Sequence, residues 1–471
     1  MKRIYLDYAA STPVDARVLR AMEPYFGERF GNPGSLHSFG QEAIAAVDRS
    51  RETIANSLGV DFREIIFTGS ATEANNLALR GAVRGWQSAN SKERGVRPKI
   101  IVSAVEHESI LETARDLAAS LGGAPAPTRR RGESLAPGKG REHDGAEVVI
   151  VPVDRQGRID MKKLSRALDE RTVLVSVMYA NNEVGTVQPI AEIAQLVRNF
   201  RNSKHEARNS KQIPSPKPQT RGNSVSDFGF RISDLSATYP LLHTDAVQAF
   251  QFLSCRPDEL GADLMTLSAH KLYGPKGIGA LFVKRETRNL EQGGQRTSRE
   301  NNMFHAPRFM LHPLVTGGGQ EFELRSGTEN VPAVAGFAEA VKLADVHRQK
   351  ETERLQALLR YAWLGIRRSV RGAAVNGLSV TDPNRLPNVL NVHVPGMNAE
   401  ELLTRLDLAG IAASSGSACS ARAYEPSHVL RALGCSARRA NESIRFSFGR
   451  HTTKRDIDTL VSVLKQLFRT R

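Results

Sequence analysis

Asp263-Leu264-Met265-Thr266-Leu267-Ser268-Ala269-His270-Lys271 is an apolar, strand-like run that ends on a lysine. Leu272-Tyr273-Gly274-Pro275-Lys276-Gly277-Ile278-Gly279 follows it as a glycine-rich turn. A lysine closing a buried strand is costly unless its charge is used or neutralised. A lysine whose stem lies along the surface with its charge in water is the plain alternative. The turn behind it lets the backbone pass close to a bound group, and lysine can form a Schiff base with an aldehyde once its pKa is lowered. Upstream, His243-Thr244-Asp245-Ala246-Val247-Gln248 again closes an apolar run, this time on a carboxylate. Alone, that carboxylate reads equally well as a helix cap. Paired with a Schiff-base lysine it has a specific task, keeping a pyridine nitrogen protonated, and Gln248 lies one turn on.

Working outward, other short β-branched runs have the same character: Glu64–Thr68, Lys99–Val102, Val148–Val151, Val173–Val177 and Gly279–Val283. Continuous apolar runs suit strands buried on both faces of a mostly parallel sheet. Amphipathic patterns at Gln41–Leu58, Ala71–Val83 and Ser109–Leu121 lie between them. This alternation predicts an α/β fold with helices sandwiching the sheet. The last third differs. Ala344–Ser369 reads as one long charged helix, Ala399–Leu408 and Asp456–Phe468 as two more, with short strands at Leu390–Val394 and Ser443–Phe448. That mixture predicts a smaller α+β domain. Residues 16–343 are expected to form the large domain, and 1–15 with 344–471 the small one.

Three polar, basic stretches, about 122–146, 201–234 and 285–316, interrupt the pattern and read as insertions too polar to bury much surface. Gly122–Ala146, Arg198–Gly222 and Lys284–Arg308 carry +2, +6 and +3 of the net charge of +15. The rest of the chain is near neutral, so the charge is a weak argument for a nucleic-acid partner and none is expected; a scaffold using Arg198–Gly222 to bind nucleic acid or an acidic partner is the alternative from another class. Three cysteines, Cys255, Cys419 and Cys435, are too few for a disulfide framework or a dedicated zinc site. No resident metal is expected. No apolar run approaches membrane-spanning length and the first residues do not read as a signal peptide, so a cytoplasmic location without membrane contact is expected.

Phe67-Thr68-Gly69-Ser70-Ala71-Thr72-Glu73 takes a strand through small residues into a helix. Thr72 and Glu73 could simply cap that helix. Free amides at a helix start also make a phosphate site, to which Thr72, Ser268 and His270 would add side-chain donors. In Glu106-His107-Glu108, the imidazole could lie flat on an aromatic ring.

Together with Tyr5–Pro13, Asn181-Asn182-Glu183-Val184-Gly185, Arg325-Ser326-Gly327-Thr328, Ser414–Cys419 and Ser443–Ser447, these stretches resemble the fold-type-I pyridoxal-phosphate enzymes. More narrowly, they resemble the cysteine desulfurases of class V aminotransferase descent. The resemblance covers nearly the whole chain outside the insertions. It implies pyridoxal 5′-phosphate as cofactor, Lys271 as its Schiff-base lysine and general base, and Asp245 as partner of the ring nitrogen. His107 would stack on the ring, with Asn182 and Gln248 on its oxygen side. Ala71 (through its backbone), Thr72, Ser268 and His270 would hold the phosphate, and Thr328 would reach the cofactor of the partner subunit in a homodimer. Arg445 would bind the substrate carboxylate. One departure is Gly69-Ser70-Ala71, where the family usually has Ser-Gly-Ala.

The resemblance makes Cys419 the nucleophile that takes sulfur from L-cysteine as a persulfide and leaves L-alanine. Gly416, Ser417, Ser420 and Ala421 around it read as a polar loop, whereas Cys255 and Cys435 lack such settings. The length from Cys419 to Val429 resembles the subgroup that serves general iron–sulfur assembly, so a sulfur-acceptor protein such as an iron–sulfur scaffold is an expected partner. Selenocysteine lyase and plain class V aminotransferase are the alternative activities.

Overall fold

In the computed structural model, the structure describes residues 3–90, 96–120, 145–209, 239–285, 311–416 and 426–469. Most of the three basic insertions, and Cys419 itself, lie outside the described residues.

Seven strands build the central sheet: β1 (Ile65–Thr68), β2 (Lys99–Ser103), β3 (Glu147–Val151), β4 (Thr172–Ser176), β5 (Leu241–Asp245), β6 (Leu264–Ser268) and β7 (Gly279–Val283). Their spatial order is β1-β7-β6-β5-β4-β2-β3. Neighbours from β6 through β3 run parallel, and β7 runs antiparallel to both β1 and β6. The expected mostly parallel sheet is present. Six strands are buried throughout, while edge strand β3 leaves Ile150 exposed.

Alternate residues of these strands feed opposite layers, as strand geometry requires. Ile66, Ile100, Val102 and Leu281 pack with Leu77, Val83 and Leu117 of helices Ala71–Ala89 and Glu108–Ala119. Phe67, Ile101, Val175 and Met265 join Ile54, Val197 and Phe337 of helices Ser38–Leu58, Ile190–Asn209 and Val331–Ser369. The result is helix on both faces of a sheet, whose carboxyl ends form the natural ligand edge.

Beyond the sheet, Ser443–Ser447, Val389–His393 and Ala374–Val375 form a small antiparallel sheet. The chain start returns to this part: Ile4–Tyr5 pairs with Ile411–Ala412, and Asp7 bridges Ser447. The N-terminal segment thereby lies between the two sheets.

Two boundaries differ from expectation. Val331–Ser369 begins thirteen residues before Ala344, capped by the Asn330 side chain with Pro332 in its first turn. Residues 331–344 are mostly apolar and buried, so they lack the charged stripe that marked the rest. Helix Ile190–Asn209 runs on into the stretch read as an insertion from residue 201. Arg201 and Lys204 look like loop charges in sequence, yet Arg201 donates to Pro240 O at 2.7 Å and pairs with Asp263, and Lys204 donates to Glu170 O at 2.9 Å. Such anchored ends hold a helix that intrinsic preference would leave frayed.

Candidate active site

The carboxyl ends of β5 and β6 and the starts of two helices enclose a cleft of about 400 Å³. It is lined by Ala71, Thr72, His107, Asn182, Asp245, Gln248, Ser268, His270, Lys271 and Arg445, together with Ala9 and Ala10 of the chain start. Nine residues separated by up to 374 positions thus meet the Lys271 side chain in one place.

Lys271 ends a short 3₁₀ turn, Ala269–Lys271, directly after β6. Its Nζ donates to Ala9 O at 2.7 Å and Ala10 O at 2.6 Å. Gln248 Nε2 also donates to Ala9 O, at 2.9 Å. The bend after Lys271 is held by Tyr273, which has a left-handed φ of 64°. Such a conformation in a bulky residue persists only where neighbours over-determine it. Here Tyr273 N donates to Thr12 Oγ1, its hydroxyl accepts from Arg450 N, and the Arg450 guanidinium lies 4.2 Å over its ring.

Asp245 is buried at the end of β5; Oδ1 accepts from Val247 N at 3.0 Å and Oδ2 from Asn75 Nδ2 at 2.9 Å. His107 caps helix Glu108–Ala119, its Nδ1 accepting from Ser109 N at 3.1 Å and standing 2.8 Å from Ser109 Oγ. Burial lowers its pKa, partly offset by the Asp245 carboxylate, and the Lys271 ammonium lowers it further. Beside it, the Glu106 carboxyl is fully buried; burial pushes it up to about 8, against the bonds from Ser103 Oγ and Met178 N.

At the other end of the cleft, helix Ala71–Ala89 begins. The cap is Ser70, not Thr72: Ser70 Oγ accepts from Glu73 N, and Ser70 O from Ala74 N. The amides of Ala71 and Thr72 have no intrahelical acceptor, as at any helix start. A Cβ at Gly279 would meet Ser70 C at 2.7 Å and Ala71 N at 2.8 Å, so only glycine lets β7 approach this turn. His270 Nδ1 is buried without a hydrogen-bond partner among the described residues. Burial and the nearby charges of Lys271 and Lys276 bring its pKa down to about 4.

Arg445 is 1% exposed, on strand Ser443–Ser447. Its Nη2 donates to Asp7 Oδ1 at 2.7 Å and its Nη1 to Asn182 O at 3.1 Å. The structure does not bring Thr328 into this cleft. It lines a separate cleft of about 130 Å³ behind the Ser70 turn, with Glu321, Arg325 and Glu329. Cys419 lies outside the described residues, but both flanks are fixed beside the cleft. Ser414 exchanges backbone bonds with Arg445 at 3.1 and 2.6 Å, Ser427 Oγ donates to buried Glu183 Oε2 at 2.5 Å, and the His428 ring meets Glu106 O at 2.9 Å. Burial pushes the Cys255 thiol up to about 12, which makes it a poor nucleophile.

Sequence reasoning missed Asn75, Ser109 and Lys276, all of which line the cleft. A signal existed: Asn75 falls one helical turn after Thr72, and Lys276 lies in the glycine-rich turn itself.

The sequence profile of the family described as aminotransferase class-V matches residues 4–124, 135–204 and 232–460. "Cysteine desulfurase IscS" of Dictyoglomus turgidum is 36% identical over 468 residues, 99% of this chain and 95% of that protein. "Putative cysteine desulfurase IscS 1" of Bacillus subtilis is 36% identical over 99% of this chain and 100% of its own length. Among solved structures, a "NifS-like protein" superposes with a TM-score of 0.73 at 29% identity, covering 100% of both chains. "SspA in complex with cysteine" does so at 0.66 and 28% identity, covering 96% of this chain and 100% of the other.

Proposed function

This chain belongs to the class-V aminotransferase family, and we propose that it is a pyridoxal-phosphate-dependent cysteine desulfurase that carries sulfur as a persulfide on Cys419. The desulfurases it resembles over nearly their full length support the activity. The observation that carries the proposal is the convergence of Lys271, Asp245, His107 and Arg445 on one cleft.

The cleft fits the cofactor. The buried Nδ1 of His270, without a partner among the described residues, and the first-turn amides of Ala71 and Thr72, which have no intrahelical acceptor, offer donors to a phosphate, with Ser268 and Lys276 alongside. Ser70 spends its hydroxyl on capping, so the Gly-Ser-Ala variation leaves the backbone donors in place. Asp245 would hold a proton on the ring nitrogen, His107 would cover the ring face, and Asn182 and Gln248 would meet its oxygen side. When bound, pyridoxal phosphate supplies the electron sink that lets Cα lose its proton and the β-carbon release sulfur.

The remaining work belongs to the chain. Lys271 Nζ would tether the cofactor and, once displaced by substrate, move the Cα proton as general base. The carbonyls of Ala9 and Ala10 hold that nitrogen in place beforehand. Arg445, rigid on its strand, would take the L-cysteine carboxylate and fix the substrate's orientation. Cys419 Sγ would attack the substrate sulfur: an S–S bond forms, the substrate C–S bond breaks, and L-alanine leaves. Cys419 follows Ser414, the pairing partner of Arg445, by five residues, a tether of about 17 Å at full extension. That reach suits a thiol that must visit the cleft and then hand sulfur to an acceptor such as an iron–sulfur scaffold protein.

A homodimer is part of the proposal. Thr328 lies outside its own chain's cleft, which supports a role at a partner's, and Phe26, Phe30, Leu36 and Phe39 are exposed apolar side chains that a second copy would cover. A cytoplasmic site of action fits a chain that depends on a reduced thiol; among the described residues no helix is long and apolar enough to cross a membrane. The test is alanine formation from L-cysteine by the purified chain, with and without added cofactor. Release of alanine only when cofactor is bound is expected, and no release with cofactor bound would overturn the assignment.

A further inference from the structure

Asp245, Asn75, Ser109 and His107 form one chain of hydrogen bonds along the cleft. Asn75 is completely buried on helix Ala71–Ala89. Its Nδ2 donates both protons, to Asp245 Oδ2 at 2.9 Å and to Ser109 Oγ at 2.9 Å. Ser109 Oγ in turn stands 2.8 Å from His107 Nδ1, and Ser109 N donates to the same nitrogen at 3.1 Å.

Counting protons fixes every direction in this chain. An amide NH₂ only donates, so Ser109 Oγ accepts from Asn75 and keeps its own proton for His107 Nδ1. That nitrogen also receives a backbone N–H, so it cannot carry a proton itself. The opposite amide orientation would set Asn75 Oδ1 against the Asp245 carboxylate and leave a buried NH₂ near it without an acceptor. The observed one leaves only Oδ1 without a partner among the described residues, the less costly orphan.

We propose that Asn75 and Ser109 are positioning residues that tie the Asp245 carboxylate to the His107 imidazole and hold His107 as the neutral tautomer protonated on Nε2. The functional consequence rests on the reading above, in which these two groups flank the cofactor ring. Both Asp245 oxygens are then fixed in place, Oδ1 by Val247 N and Oδ2 by Asn75. His107 cannot take a second proton on Nδ1 without displacing two donors at once. One buried amide thus sets both the partner of the ring nitrogen and the group on the ring face.

Two measurements test this. ¹⁵N-histidine NMR of the cofactor-free chain, with His107 assigned from a His107→Gln variant, reads the tautomer directly. Protonated Nε2 and bare Nδ1 are expected; a proton on Nδ1 would overturn the proposal. In the holoenzyme, the pH midpoint of the cofactor's absorbance change is expected to move by about half a pH unit or more in Asn75→Ala and in Ser109→Ala. The double variant should move it no further than the larger single change, and Ser109→Thr should restore the wild-type midpoint. Unchanged or additive midpoints would refute the coupling, and Ser109→Ala with Ser109→Thr decides the matter even if Asn75→Ala does not fold. A wild-type chain that takes up no cofactor would sink the reading of the cleft, while the NMR result would still settle the tautomer.

Discussion

The Arg445 guanidinium, which lines the cleft, lies 2.7 Å from Asp7 Oδ1 and joins the small antiparallel sheet to the chain start. The group proposed to receive the substrate carboxylate is therefore oriented before substrate arrives. Lysine would keep the charge but lose the planar fork and the bond to Asn182 O. Arg445→Lys is expected to raise KM for L-cysteine by about 10- to 100-fold, the loss of one charge-assisted bond, with a smaller change in kcat. Initial rates over a range of cysteine concentrations check this; a KM within twofold of wild type would remove Arg445 from the substrate site.

Lys271→Ala is expected to bind pyridoxal phosphate only reversibly. Borohydride should fix the cofactor to the wild-type chain and leave the variant unlabelled, as mass spectrometry of the intact chains would show. Cofactor fixed to the variant would mean that another lysine, with Lys276 the nearest candidate in the cleft, does the tethering.

Glu106 gives the fold a pH dependence with a definite sign. Its carboxyl titrates at about 8 when folded and near 4.5 when unfolded, because burial disfavours the charged form. Between those values the folded state holds the extra proton. The contribution is complete below pH 4.5 and is lost as pH rises through 8, at about 1 kcal/mol per pH unit. Glu106→Gln keeps an acceptor for Ser103 and Met178 N but does not titrate. Its stability relative to wild type should therefore improve steadily from pH 5.5 to 7.5 in urea titrations, and a constant difference would show that Glu106 is ionised in the fold.

Much of this was legible in sequence because buried strands and strand-end polar residues leave local signatures. The stretch from Asp263 to Lys271 identified both β6 and the residue at its end, and Asp245 closed β5 as expected. Asn75 was not legible, since a buried amide in a helix looks like any other until its partners on two other segments are known. The start of the long helix was missed because residues 331–343 are mostly apolar and buried, with Lys342 the one exposed position, and carry no charged stripe. The left-handed turn at Glu321, Phe322 and Glu323 was also invisible. None of the three is glycine, yet φ is 49°, 56° and 69°. Tertiary contacts impose that conformation. Glu321 is locked in a buried pair with Arg51 at 2.7 Å and accepts from Phe67 N, while Arg51 lies between the rings of Phe67 and Phe322.

That turn yields a stability forecast. Glu323 is exposed and has the most positive φ of the three. Glu323→Gly removes left-handed strain worth roughly 1–2 kcal/mol, less the greater freedom of glycine in the unfolded chain. A net gain of about 0.5–1 kcal/mol is expected by urea denaturation. Arg51→Met, in contrast, should cost about 3–5 kcal/mol, because it strands the Glu321 carboxylate in the interior. A destabilised Glu323→Gly would mean that the side chain holds the turn in place.

The central claim is that Cys419 accepts the sulfur. The most direct measurement is mass spectrometry of the peptide containing Cys419 after one turnover with L-cysteine, alongside alanine release by Cys419→Ala. One added sulfur atom on Cys419, with none on Cys435, and no steady alanine formation by the variant are the results expected here. Alanine formed by Cys419→Ala at the wild-type rate, or sulfur found on another residue, would contradict the account.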